Sequence, residues 1–367
     1  MHRDTWMEID LDAVCDNVRR IKEICGKRII AVVKANAYGC GDRQVAEACI
    51  DAGAEMLAVS SLDEALILRN EGIRCAILIV GTTNPQDAQV MAGYKISAAA
   101  YSPEWVDALV QTDCAGLRVH LKMDTGMNRI GFQTIDQLQE AYKKLNDAGC
   151  IIEGIFTHFS CSDSDPAFTD AQYARFQEAV ESLPEKPEWI HCDNSDATVS
   201  FKDPLSNACR LGVSLYGVSS FLDDLKHPLA LYSRLSMVKT VPAGQKVGYG
   251  ATYETNEDEI IATMPIGYAD GFIRANQGRR VYINGKYCEV VGRVCMDQTM
   301  LKLPEYMPTG TAAEIFGPHI PLEKMAEELH TIPYEIICLI TMRVTRVYRR
   351  GGKRYLIKND RMTLSEL

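Results

Sequence analysis

Lys34 ends an apolar run, Arg28-Ile-Ile-Ala-Val-Val-Lys34, and Ala-Asn-Ala-Tyr38-Gly39 follows at once. A lysine closing a buried strand must snorkel, pair or lose its charge. On its own this is an ordinary solvated strand-end lysine. Desolvated, its amine is a nucleophile able to form a Schiff base with a carbonyl. Other reactive side chains fall at the ends of comparable runs. Residues 117–123 carry Lys122 and lead into DTGMNRIG with Arg129; residues 151–156 end at Thr157-His158. Residues 188–192 hold His191 and are followed by Asn194 and Ser195, and Arg210-Leu211-Gly212-Val213 completes the series. The Ser195-Asp196 step and the glycine of RLGV have the form of a phosphate cradle: a helix start, a hydroxyl and close backbone N–H groups. Each group is a weak signal alone. Their convergence is the informative feature.

The elements that must position these groups alternate. Strands are expected at 29–34, 56–60, 76–80, 96–100, 117–123, 151–156, 188–192 and 210–211, with amphipathic stretches at 12–25, 43–52, 62–70, 85–93, 135–148 and 168–182. Strand followed by helix, eight times over, is the pattern of a parallel (β/α)₈ TIM-type barrel, whose catalytic groups sit at the C-terminal ends of the strands. A doubly wound α/β sheet lacks support, because no G-x-G-x-x-G follows the first strand. From about residue 235 the chain becomes mostly β, with a hairpin at Asn284-Gly285, one helix at 321–329 and returning strands at 341–348 and 354–357. Residues 5–9 also alternate and can join that part. The expected division is a barrel at 9–232 and a mostly β domain from 1–8 plus 233–367.

Composition narrows the function classes. The 367 residues include 39 basic and 49 acidic side chains, a formal net charge of −10, and no Lys/Arg stripe, which opposes a nucleic-acid surface. A hydrophobic share of 47% with 24% charged residues excludes a mostly disordered chain. The start has no apolar leader and no run reaches membrane-span length, so a cytoplasmic protein is expected. The 13 cysteines are odd in number and irregularly spaced, without a C-x-x-C pair. They read as reduced, buried thiols, with no metal site.

Nine blocks, VVKANAYG, DTGMNRIG, THFS, DNSDAT, RLGVSLYG, VGYGATY, IGYADGF, GRVCMDQ and TIPYE, occur in one order along the chain. In that order they resemble the bacterial alanine racemases. The resemblance implies a fold-type III pyridoxal phosphate enzyme that interconverts L- and D-alanine for cell-wall peptidoglycan, working as a homodimer with composite active sites. It implies that Lys34 holds the cofactor and acts as one base, and that Tyr249 from the partner subunit is the opposite base. Tyr38, Ser195, Tyr334 and the backbone of Gly212 and Val213 would hold the phosphate. Arg129 would contact the cofactor's phenolic oxygen and the substrate carboxylate, Arg210 the pyridine nitrogen, and His158 would link Tyr249 to Arg210. Met296 and Asp297 would line the substrate side, Tyr268 and Asp163 would narrow the access corridor, and Lys122 would be a carbamate that orients Arg129.

These implied roles are physically consistent. Racemisation needs a base on each face of Cα, and lysine and tyrosine, both with ordinary pKa values near 10, need activation to work near neutrality. An arginine does not surrender its proton, so at the pyridine nitrogen it donates a hydrogen bond, which weakens the electron sink and limits transamination. The chain departs from the usual pattern at Asn128, where glycine is common, at Cys40, where histidine is common, and in the polar THFSCSDS and DNSDAT. Three rivals remain. A fold-type III decarboxylase would place a carboxylate, not Arg210, on the pyridine nitrogen. A non-catalytic pyridoxal phosphate carrier would leave the second domain without a purpose. A serine or broad-specificity racemase is the rival least separated by these residues.

Overall fold

The computed structural model describes residues 3–358. Within them the chain forms two compact units: one of Val14–Ala37 and Asp42–Lys226, the other of residues 3–13, Tyr38–Gly41 and residues 227–358. The outer ends of the expected second domain, residues 1–2 and 359–367, lie outside the described residues.

After a first strand, β1 (Thr5–Asp10), eight strands follow: β2 (Arg28–Val32), β3 (Met56–Val59), β4 (Ala76–Ile79), β5 (Ile96–Ala100), β6 (Arg118–Lys122), β7 (Ile151–Phe156), β8 (Trp189–His191) and β9 (Ala208–Leu211). They form one parallel sheet in the order β8-β7-β6-β5-β4-β3-β2-β9. Its edges join through Asn207 N–H to Ile190 O (3.0 Å) and Arg210 N–H to Asp193 O (3.0 Å), which close the ring. Strands such as Met-Leu-Ala-Val in β3 and Ile-Ser-Ala-Ala-Ala in β5 are buried at every position, as a sheet covered on both faces requires. The covering helices bury one stripe each. Ile135–Asp147 buries Leu138, Ala141 and Leu145, and its start is fixed reciprocally by Thr134 Oγ1 and Gln137 Oε1.

The expected strands and helices are in place with shifted ends: β2 stops at Val32, so Lys34 lies just beyond the strand it was expected to close, and the stretch 85–93 is a 3₁₀ turn, Pro85–Asp87, running into a helix, Ala88–Gly93. Sequence reasoning missed the helix Pro103–Leu109, although Ser102 caps it and proline opens it. The helix expected from 168 starts at Pro166 behind the cap Asp165.

A ten-stranded sheet organises the second unit. β1 lies between Leu229–Arg234, antiparallel, and Thr345–Arg350, parallel, so the alternating N-terminal segment does join the β part. Asn284 (φ 45°) and Gly285 (φ 87°) make the expected hairpin between Arg280–Ile283 and Lys286–Val291. The helix expected at 321–329 spans Leu322–Glu328, and a second one, Pro333–Leu339, was not foreseen.

No sequence signal announced the segment after β2. Ala35, Asn36, Ala37 and Tyr38 are all left-handed, with φ of 54°, 54°, 50° and 57°. Each such non-glycine residue costs about 1–2 kcal/mol, so the surroundings must over-determine the turn. In the barrel unit the Tyr216 hydroxyl donates to Ala37 O (2.6 Å), Ala35 N–H to Glu64 Oε1 (2.8 Å), and Asp42 N–H to Asn36 Oδ1 (2.9 Å). Strain is thus stored immediately after Lys34.

Candidate active site

At the C-terminal rim of the barrel, Arg210 in β9 is buried and uses both terminal guanidinium nitrogens. Nη1 donates to His191 Nδ1 (2.7 Å) and His191 O (2.9 Å); the two N–H groups of Nη2 are shared among Thr157 O (2.7 Å), Cys192 O (2.8 Å) and His158 Nδ1 (3.1 Å). None of these bonds uses Nε. A guanidinium only donates, so both histidines must accept on Nδ1 and carry their proton on Nε2. Burial lowers the Arg210 pKa to about 10, which still leaves it charged near neutrality.

His158 is the point on which the cations converge. Burial first, then Arg210, Lys122, Arg129 and Lys34, hold its pKa well below the ordinary value, so it is neutral. Four basic side chains from three strand ends are thus felt at one imidazole, and among the described residues Lys122, Arg129 and Arg210 have no carboxylate ion-pair partner. Beneath them the Phe156 ring stacks on His191 (centroids 5.0 Å apart, 11°), with Lys122 Nζ 5.0 Å and Arg210 Cζ 5.7 Å from its centroid.

Lys122 is only 3% exposed. Burial, with Arg210 and Arg129 nearby, lowers its pKa to about 7, so much of it is neutral amine at physiological pH. The unfolded chain then binds more protons between pH 7 and 10.5, and this group's cost to the fold disappears as pH rises through that window. The full effect is on the order of 5 kcal/mol. In carbon-dioxide-depleted buffer, Lys122→Met is therefore expected to be the more stable protein at pH 7 and to gain less than the parent between pH 7.5 and 10. Urea midpoints measured across that range check it.

Arg129 is exposed on a loop built by Asp124, whose Oδ1 accepts from Gly126 N–H (3.0 Å) and Asn128 N–H (3.0 Å). Asn128 has φ 54°. That explains the departure: the position needs the left-handed region, which asparagine tolerates better than most residues. Asn128→Gly should leave the melting temperature nearly unchanged, whereas Asn128→Val should cost about 1–2 kcal/mol.

Ser195 is buried, and its Oγ accepts from Gly212 N–H (2.9 Å) and Ser214 Oγ (3.1 Å), so its own O–H remains a donor. Gly212 N–H is thus engaged within the protein, whereas Val213 opens a 3₁₀ turn whose first N–H groups find no acceptor in the helix itself. The polar DNSDAT block is anchored by Lys27, whose Nζ bridges Asp193 (2.7 Å) and Asp203 (3.0 Å). Asp163 is exposed on the loop after β7 and accepts from Ser164 Oγ (3.2 Å).

The remaining candidates belong to the β unit. Tyr249 is 71% exposed on a tight turn flanked by Gly248 (φ 75°) and Gly250 (φ 71°). A Cβ on Gly250 would lie 2.7 Å from Arg293 Nη1, so this turn packs on the 292–297 loop. That loop in turn accepts from Tyr268 N–H at Cys295 O (3.0 Å) and from Ala269 N–H at Met296 O (3.0 Å). Tyr249, Tyr268, Met296 and Asp297 are thereby gathered by three adjoining loops, and Asp297 is paired with Arg343. Tyr38 is buried with its ring centroid 6.0 Å from that of Tyr334, which sits in the first turn of Pro333–Leu339.

Sequence reasoning missed two buried residues, His120 in β6 and Glu153 in β7. Their signals were available: His120 lies two residues before Lys122 and so on the same face of the strand, and Glu153 interrupts an apolar run.

Comparison with known proteins fits this architecture. Residues 9–220 match the family "Alanine racemase, N-terminal domain" and residues 229–348 match "Alanine racemase, C-terminal domain". The alanine racemase of Geobacillus kaustophilus is 40% identical, with 98% of each chain covered. The crystal structure of alanine racemase from Bacillus anthracis with bound L-Ala-P superposes with a TM-score of 0.94 at 39% identity over 98% of both chains. A histidine racemase from Leuconostoc mesenteroides is 30% identical with a TM-score of 0.88, covering 95% of this chain and 99% of its own. Two family profiles spanning both units, on a closed barrel whose rim gathers the expected lysines, histidines and arginines, establish that this chain belongs to the alanine racemase family.

Proposed function

We propose that this protein interconverts L- and D-alanine with pyridoxal 5'-phosphate, as a cytoplasmic homodimer in which each active site combines one subunit's barrel with the partner's β unit. The observation that carries the reading is the positive field around neutral His158, in which Arg129 and Arg210 have no carboxylate ion-pair partner among the described residues, beside an Arg210 whose Nε–H is unused. Such a rim suits a group bearing phosphate and phenolate charges together with a carboxylate substrate. Bound there, pyridoxal phosphate supplies the electron-withdrawing system that makes the substrate's Cα–H acidic.

The chain's own residues divide the remaining work. Lys34 presents its amine just beyond the end of β2, and Tyr249 presents a phenol from the other face. Arg129 offers a fork of donors to the substrate carboxylate. Arg210, still protonated, keeps Nε–H as a donor and takes up no proton itself. The O–H of Ser195, the first-turn N–H of Val213 and the hydroxyls of Tyr38 and Tyr334 are donors for phosphate, with Gly212 shaping the turn and Met296, Asp297, Tyr268 and Asp163 bordering the approach. The exposure of Tyr249, Tyr268 and Met296 supports a face completed by a second copy. The neutral amine of Lys122 would add to carbon dioxide and release a proton, leaving a carbamate that orients Arg129. A well-resolved crystal structure should show density beyond Nζ; a bare Lys122 paired with a carboxylate would remove the assignment.

Alanine is the expected preferred substrate: by likeness to the family, Tyr334, Tyr268 and Met296 would border the substrate's side chain, where a longer one would meet an overpacking cost of about 1–3 kcal/mol. The likeness to a histidine racemase shows that the architecture alone does not choose the side chain. Tyr334→Asn opens space and adds a polar partner, so the serine-to-alanine ratio of kcat/KM should rise by about ten-fold. The direct test follows optical rotation of L-alanine, L-serine, L-lysine and L-histidine with purified, cofactor-loaded protein. Fastest loss with alanine supports the reading; equal rates on serine or lysine oppose the pocket argument.

A further inference from the structure

Arg210 poses a question of charge. It is buried, protonated, and held by carbonyl oxygens and imidazoles, with no carboxylate ion-paired to it among the described residues. A buried cation without a counter-charge is costly. Following the hydrogen bonds away from the rim locates one. His191 Nε2 lies 3.0 Å from His120 Nδ1, His120 Nε2 lies 3.2 Å from Glu153 Oε2, and Glu153 also accepts from Ser97 Oγ and from Arg118 Nη1 (3.0 Å). Both imidazoles are fully buried.

Only one proton arrangement satisfies this line. Arg210 donates, so His191 Nδ1 accepts and His191 Nε2 carries the proton. That proton is donated to His120 Nδ1, so His120 carries its own proton on Nε2 and gives it to the Glu153 carboxylate. The ionisation states agree. Burial holds both histidines neutral, and although burial alone would raise Glu153, hydrogen bonds from His120 and Ser97 hold its carboxyl down to about 2.

The backbone makes room for the line. A Cβ on Gly154 would fall 2.3 Å from His120 Nδ1, and the β6–β7 register shifts between Val119 and His120. Glycine and an irregular ladder at this one place are what seat an imidazole across the barrel interior.

We infer that Glu153, His120 and His191 form a charge-delivery chain, in which a carboxylate distant from the rim polarises two imidazoles in series and holds Arg210 in place as a donor. Glu153 and His120 are then positioning residues for the reaction, resting on the racemase reading, although neither touches the site.

Glu153→Gln keeps the size and an acceptor but removes the charge. In ¹⁵N-labelled, cofactor-loaded protein, ring-nitrogen correlation spectra should show His120 and His191 as Nε2–H tautomers. In Glu153→Gln the His120 ring proton should move upfield, and kcat for L-alanine should fall about ten-fold with KM changed less than about two-fold. Gly154→Ala should reproduce the kcat loss with Glu153 intact, by displacing the His120 ring. If Glu153→Gln does not fold, Ser97→Ala, which removes one bond to the carboxylate, should show a smaller upfield shift with a kcat loss of about two-fold to three-fold. A His191 protonated on Nδ1 would overturn the chain, as would a folded Glu153→Gln, or Ser97→Ala in its place, with unchanged kcat and ring-proton shifts. If the racemase reading itself fails, the parent protein will not racemise alanine, while the tautomers remain readable.

Discussion

Lys34→Ala is expected to reduce racemisation by more than about 10³-fold and to abolish covalent capture of the cofactor. The position explains the size of the effect. Lys34 lies two residues beyond the end of β2, is followed by a left-handed turn held by Glu64, Tyr216 and Asp42, and contributes to the positive field at His158. No neighbouring lysine can replace it by a rotamer change: Lys122 is buried on another strand, above the Phe156 ring. Lys34→Arg keeps the charge without a nucleophilic amine and should be as inactive. After borohydride treatment and proteolysis, mass spectrometry should find the cofactor on the Lys34 peptide. Recovery on the Lys122 peptide would sink the assignment.

Tyr249→Phe is the second large effect, and it is asymmetric. Removing one hydroxyl should slow Cα proton exchange from L-alanine by about 10²–10⁴-fold, while exchange from D-alanine, assigned to Lys34, is affected far less. Deuterium washout from each enantiomer measures the two rates separately, and equal slowing would contradict separate bases. Tyr249 lies in the β unit and Lys34 in the barrel unit. If each site draws on two subunits, mixing inactive Lys34→Ala with inactive Tyr249→Phe should restore activity, because a mixed dimer contains one intact site. No recovery after demonstrated subunit exchange would count against the composite site.

Much of this was legible in the residues, for reasons that differ by scale. The barrel strands are short buried runs between amphipathic helices, and burial on both faces leaves near-continuous apolar stretches that are hard to mistake. The helix Pro103–Leu109 was missed because seven residues carry only two turns of periodicity, even with Ser102 and Pro103 marking its start. The left-handed run at Ala35–Tyr38 was illegible because alanine does not announce positive φ; tertiary hydrogen bonds impose it. Strand-end groups such as Lys34, His158 and Arg210 were weak signals singly and became candidates through their convergence on one rim, with the resemblance assigning their roles. His120 and Glu153 leave a trace in the pattern, a shared face with Lys122 and a break in an apolar run, but that trace acquires meaning only once their partners on neighbouring strands are known. Asn128 illustrates the reverse case, an apparent anomaly that became ordinary once its backbone angle was seen.

The most direct measurement is the fate of L-alanine in D₂O with cofactor-loaded protein, followed by chiral chromatography with mass spectrometry. Two-base racemisation brings both enantiomers to a 1:1 mixture at long times, puts one deuterium at Cα of newly formed D-alanine, and accumulates neither carbon dioxide nor a keto acid at a comparable rate. Release of carbon dioxide, accumulation of pyruvate, or D-alanine lacking Cα deuterium when first formed would contradict it.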